Sequence, residues 1–187
     1  MAGQISTVLC IISAAILIPE VHSRAHQTNY DAAAEILIPK RYSMRYRSVL
    51  DDRMIPQARY CVSLLFTSVQ FGRVEAIFRY KLTLQSEYTN KLVRLTTRKS
   101  TPRSIVDNMI TTTEQATMRQ LYDQKLEYSD RRTCRVLVQT FGGGTKVCSL
   151  WVAPEKRRGP VPRECSNAYS QICPGQPHQI DYPDNCA

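Results

Sequence analysis

Polar and apolar positions alternate along much of this 187-residue chain. Over 41–50, Tyr42, Met44, Tyr46, Ser48 and Leu50 fall on one face and Arg41, Ser43, Arg45, Arg47 and Val49 on the other. A period of two defines a half-buried strand. Further alternating or β-branched runs occupy about 59–69, 73–83, 91–98, 104–112, 119–128, 132–140 and 145–152, each bounded by turn-prone or polar residues. Eight short strands in one domain predict an all-β sandwich or barrel. Eight strands close an antiparallel up-and-down barrel wide enough inside for one small ligand, and closure removes the exposed sheet edges. Two helices flank the strands. An Ala-rich stretch over 31–37, stopped by Pro39, predicts a short N-terminal helix. Beyond a polar, proline-rich connection from Pro154 to Pro162, residues 163–172 predict a C-terminal helix that packs back, and a proline-rich tail follows with Cys186 as its anchor.

Ahead of these elements, residues 1–23 contain one Glu and no Asp, Lys or Arg, with an apolar run over 8–18 followed by Pro19, Glu20, Val21, His22 and Ser23. The run is too short to cross a bilayer as a helix, and Val21 and Ser23 meet the small-residue cleavage rule, so a secretory signal peptide is expected. Cleavage is placed after Ser23, with Ala25 as the second choice and an uncleaved anchor as the alternative. This divides the chain into a signal peptide, 1–23, and a single domain, 24–187. Cleavage removes Cys10 and leaves Cys61, Cys134, Cys148, Cys165, Cys173 and Cys186. An even set in a secreted chain implies disulfides, and the spacings fit neither a zinc site nor a redox motif; sequence alone leaves their connectivity open.

Lys plus Arg total 25 against 16 Asp plus Glu, a formal charge of +9. Secretion argues against nucleic acid as the partner of that charge and leaves a glycosaminoglycan, an acidic protein or plain solubility, of which solubility is the simplest. Gly142, Gly143, Gly144, Thr145 and Lys146 lack the spacing of a phosphate-binding loop and read as a hairpin turn. Catalysis has few candidates. The mature histidines are His26 and His178, both near chain ends, and Glu75, Asp107, Asp123 and Glu127 fall on strand faces open to solvent. No triad, metal site or cofactor motif emerges, so the chain is read as a non-enzyme without cofactor or metal.

From residue 128 onward the sequence becomes specific: Tyr128-Ser129-Asp130, Cys134-Arg135-Val136, Cys148-Ser149-Leu150-Trp151-Val152, Val161-Pro162 and Cys165. This resembles the tick salivary lipocalins of the histamine-binding protein family, whose signature is Cys-Asp-aliphatic, a gap, Glu-Leu-Trp, a second gap and Cys. The resemblance extends back through 42–52 to Cys61 and agrees with the eight-stranded barrel. It implies a lipocalin barrel with disulfides Cys61–Cys186 and Cys134–Cys165, which leaves Cys148 to pair with Cys173. It also implies a secreted monomer, free of membrane once the signal is cleaved, that sequesters a small host mediator and blunts host defence.

The departures bear on the ligand. Where amine-binding relatives carry Asp and Glu, this chain carries Arg135 and Ser149, so one cation and one hydroxyl replace two acids. At the family's other amine site Asp52 keeps the acidic position and Tyr122 an aromatic one, while Val49 and Ile55 replace two further aromatics, and Asp-Ala-Trp is reduced to Asp31-Ala32-Ala33. An inward Arg135 needs either an internal acid, for which Glu127 is the candidate, or an anionic ligand. The residues assigned to the ligand are Asp52, Tyr42, Met44, Tyr46, Tyr122, Arg135, Ser149 and Trp151. A biogenic amine and a fatty-acid-like lipid with its carboxylate on Arg135 both stay open. The rival class is a protein-directed inhibitor of a host protease or complement component, with the barrel as scaffold and residues 156–158 as its contact.

Overall fold

The computed structural model describes residues 30–70, 73–173 and 175–186; the expected signal segment, 1–23, lies outside them. Helix α1 (Ala32–Ile36) is followed by β1 (Arg41–Arg47), β2 (Tyr60–Gln70), β3 (Arg73–Lys81), β4 (Thr89–Arg98), β5 (Met109–Glu114), β6 (Gln120–Ser129), β7 (Cys134–Thr140) and β8 (Lys146–Val152). Helix α2 (Arg163–Ile172) and a two-residue strand, β9 (His178–Gln179), complete the chain. Each of the eight long strands pairs antiparallel with the next, and β1 pairs with both β8 and β2, so the sheet closes into the predicted barrel. Residues 142–144 form the tip of the β7–β8 hairpin, where Gly143 and Gly144 take positive φ of 76° and 79° that a side chain would disfavour.

Alternation sorts the side chains into two apolar layers. On β3, Val74, Ala76, Phe78 and Tyr80 point into the barrel and are buried. On β7 and β8 both faces are covered: Leu137 and Trp151 face inward, while Val136, Val138, Leu150 and Val152 face α2 and pack with Tyr169. Doubly covered strands read as near-continuous apolar runs, and residues 134–138 are buried throughout with Arg135 the one charged member. Two disulfides, Cys134–Cys165 and Cys148–Cys173, fasten α2 to these strands, and Cys61–Cys186 fastens the tail to β2.

Two expectations need correction, and the tail adds an element that the sequence did not show. β1 does not alternate to residue 50: a bulge between Met44 and Tyr46 puts two residues against one on β8, so Tyr46 turns outward onto the Tyr169 layer and Arg47 turns inward. The fifth strand begins at Met109, because Ser104 and Asn108 bond nearby backbone (Ser100 N to Asn108 Oδ1, 2.7 Å) and hold the preceding residues in a loop. The tail is ordered: β9 pairs with the end of β1, and Ile180 donates to Arg45 O at 3.0 Å while accepting from Cys61 N at 2.9 Å, filling the seam where β1 and β2 diverge.

The Cys61–Cys186 link spans 125 residues and Cys148–Cys173 spans 25. On the chain-entropy account, removing the long crosslink should cost about 1.4 kcal/mol more than removing the short one. Urea unfolding of the two double Cys→Ser variants checks this ordering.

Candidate ligand-binding site in the barrel

The interior holds two small cavities of about 20 Å³ each, enough for roughly one water apiece. The mouth chamber lies under the β1–β2 loop and the β7–β8 hairpin, lined by Met44, Arg47, Asp52, Met54, Phe141 and Ser149 among others. The deep chamber lies towards α1, lined by Ile36, Leu64, Phe78, Leu95, Ile110, Leu137 and Arg135. Tyr122, Gln124 and Trp151 border both and form the partition between them.

Each chamber is organised by a buried arginine. The bulge in β1 delivers Arg47 to the mouth, where it is 1% exposed. Its Nη1 donates to Asp52 Oδ2 at 3.0 Å and to Ala58 O at 3.2 Å, its Nε donates to Val49 O at 2.9 Å, and its Nη2 donates to Leu50 O. Every acceptor belongs to the β1–β2 loop, so this guanidinium is the post around which the loop folds. Asp52 is equally occupied: Oδ1 accepts from Met54 N (2.8 Å) and Ile55 N (2.9 Å), and Oδ2 also accepts from the Tyr122 hydroxyl (2.9 Å). Burial, and then the Asp52 charge, push the Tyr122 hydroxyl well above its ordinary pKa, which keeps it a donor.

In the deep chamber Arg135 is again 1% exposed. The acid it faces is Glu35 of α1, Nη1 to Oε1 3.9 Å, and not Glu127, which pairs with Lys125 on the outer surface at 2.9 Å. The Arg135 guanidinium lies over the Tyr42 ring, 4.1 Å from Cζ to centroid, with Phe66 and Trp151 at 5.7 Å. Ser149 Oγ accepts from the Trp151 indole at 2.9 Å and fixes that ring.

Of the eight sequence-assigned residues, Met44, Asp52, Tyr122, Ser149 and Trp151 meet at the mouth chamber, and Arg135, with Tyr42 stacked beneath it, stands at the deep one. Tyr46 is excluded because the bulge turns it away from the interior. The sequence reading missed Glu35, Arg47 and Gln124. Glu35 had a signal: with Ala32 and Ile36 it occupies the buried stripe of α1, at the i, i+3, i+4 spacing of one helix face. The 156–158 run does not present three free cations, since Arg157 turns in to a paired hydrogen bond with Asp181 (2.9 and 3.0 Å) and leaves Lys156 and Arg158 exposed.

A closed eight-stranded antiparallel barrel with a C-terminal helix packed on its outer wall and a cavity at its centre defines a lipocalin-like protein. The chain belongs to the tick histamine binding protein family, whose model matches residues 21–187. Among solved structures it is similar in fold to Japanin from Rhipicephalus appendiculatus bound to cholesterol, at 13% identity and a TM-score of 0.59, covering 79% of this chain and 95% of that one. It is similar also to AM182 in its serotonin complex, at 16% identity and a TM-score of 0.60, covering 85% and 94%. No curated protein sequence matches significantly.

Removing one partner from a buried ion pair leaves an uncompensated charge at a cost of about 3–5 kcal/mol. Asp52→Ala should therefore destabilise the protein by about that amount. Arg47→Met combined with Asp52→Ala should cost less than the two single changes summed, yet still lose stability because the carbonyls of Val49, Leu50 and Ala58 lose their donor. Urea unfolding of the two single variants and the double variant tests both statements.

Proposed function

We propose that the protein is a secreted lipocalin that sequesters a small, largely apolar and uncharged mediator, acting by stoichiometric burial without turnover. One observation carries the reading: the carboxylates that point into the barrel are already opposed by cations. Asp52 is held by Arg47, Glu35 faces Arg135, and Glu114 near the rim is bonded by Lys91. An ammonium entering this interior finds no free acid among the described residues to offset its desolvation, and an unpaired buried charge costs several kcal/mol. The walls are otherwise aliphatic and aromatic with a few convergent polar groups, the composition of a small-molecule site. Membership of the family supports capture of a small ligand, and the three disulfides support an oxidising, extracellular setting.

A ligand larger than water must merge the two chambers. Tyr122 is tied to Asp52 and Trp151 to Ser149, whereas Gln124 makes no side-chain hydrogen bond to another described residue and is the movable part of the partition. The small volume of each chamber also favours a second reading, in which the packed barrel is a scaffold and exposed residues such as Lys156 and Arg158 act on a host protease or complement component.

Calorimetry should show no submicromolar binding of histamine or serotonin, while an apolar fluorophore sensitive to its surroundings binds at one equivalent. Gln124→Ala should tighten fluorophore binding about tenfold, since each extra buried CH₂ is worth about 0.8 kcal/mol and roughly two are gained. Submicromolar histamine binding would overturn the uncharged-ligand reading. Failure of both wild type and Gln124→Ala to take up the fluorophore would favour the scaffold.

A further inference from the structure

Behind Arg135, which lines the deep chamber, a buried polar cluster is incompletely paired. Glu35 and Tyr42 are 0% exposed and Arg135 is 1% exposed, yet among the described residues Arg135 Nε and Nη1, Glu35 Oε1 and the Tyr42 hydroxyl have no hydrogen-bond partner of good geometry. Buried polar groups left in this state are rare in folded proteins, and each asks for an explanation. The groups are also held in place. The guanidinium plane is set by the Tyr42 ring beneath it, and the second carboxylate oxygen of Glu35 accepts from Ser129 Oγ at 2.7 Å. Between them Nη1 and Oε1 stand 3.9 Å apart, close enough for their charges to balance and too far for a hydrogen bond.

The gap therefore presents a donor on one side and an acceptor on the other, at no net charge. Its occupant must accept from Arg135 and donate to Glu35. A carboxylate accepts but sets a negative charge against Glu35; an ammonium donates but meets Arg135; an ester accepts and leaves Glu35 unpaired. A hydroxyl does both. We propose that the Arg135–Glu35 gap is the head-group site of the barrel and selects an aliphatic alcohol, whose hydroxyl bridges Nη1 and Oε1 while its hydrocarbon runs along Ile36, Leu64, Phe78 and Leu137. The proposal rests on the capture reading above and specifies the chemistry of what is captured. The Tyr42 hydroxyl stands beside the Glu35 carboxylate, and burial and then the Glu35 charge push it up to about 12, so it stays protonated there. Water offers the same two bonds as the alcohol, so a ligand that displaces it keeps the hydrogen bonding and adds the burial of its chain.

The test is displacement of the bound apolar fluorophore at neutral pH by four molecules with one chain and different heads: decanol, decanoic acid, methyl decanoate and decylamine. The alcohol should bind at least about tenfold more tightly than each of the others. Glu35→Gln, which leaves the Arg135 charge unopposed, should transfer the preference to the acid, with its melting temperature confirming that the variant is folded. The wild-type comparison of alcohol with ester decides the matter even if that variant does not fold. Equal binding of the four heads, or a wild-type preference for the acid, overturns the head-group site while capture stands, the gap then holding water only. A fluorophore that does not bind at all overturns capture and the head-group site together.

Discussion

A guanidinium buried in an apolar barrel has to be matched, and this one requirement shapes both ends of the molecule. Arg47 and Arg135 project from strands, but their acids do not. Asp52 comes from the β1–β2 loop and Glu35 from the helix that precedes the barrel. Each pair therefore binds a segment outside the sheet to the sheet itself. At the mouth the loop wraps its carbonyls around Arg47; at the other end α1 is held by Glu35 and by the Ala32 N–H on Asp107 O at 2.7 Å. The strands make the tube, and the ion pairs position what closes it. Because buried pairs seldom add net stability over well-packed apolar groups, their worth here lies in geometry: two plugs of defined shape over an interior whose polar groups are fixed before any ligand arrives.

Amine binding in a barrel depends on acids left free to meet a cation. Where the family resemblance led to the expectation of two acids, the β7–β8 wall carries Arg135 and Ser149 and so contributes one cation and no carboxylate. Ser149 orders the Trp151 indole instead, and Asp52 spends its lone pairs on Arg47, Tyr122 and the loop backbone.

The barrel and both helices were legible in the sequence from its periodicity and composition, whereas the disulfide pairings followed only from the family resemblance, which implied two and left the third. Alternation works because successive residues of a strand point to opposite faces of the sheet, and Arg135, Ser149 and Trp151 face the interior as their parity requires. It fails where the count is broken. One extra residue in β1 reverses everything after Met44, which sends Tyr46 outward and buries Arg47, and no residue type in 41–47 announces that bulge. It fails also for contacts between elements remote in sequence: Glu35 and Arg135 are a hundred positions apart, and only the folded barrel brings them to one wall. The seam strand β9 was hidden for the same reason, two residues being too few to show a period.

That seam has a consequence for how the molecule comes to exist. β1 and β2 pair over only three residues, 41–43 with 63–65, and the gap beyond is bridged by Ile180 and sealed by Cys61 to Cys186. Synthesis runs from the N-terminus, so residues 178–186 are made after all eight long strands. Until they are in place, β1 and β2 hold open edges beyond residue 43 and Cys61 lacks its partner. A chain truncated just before Cys186 would carry every long strand and still lack the bond that seals the seam.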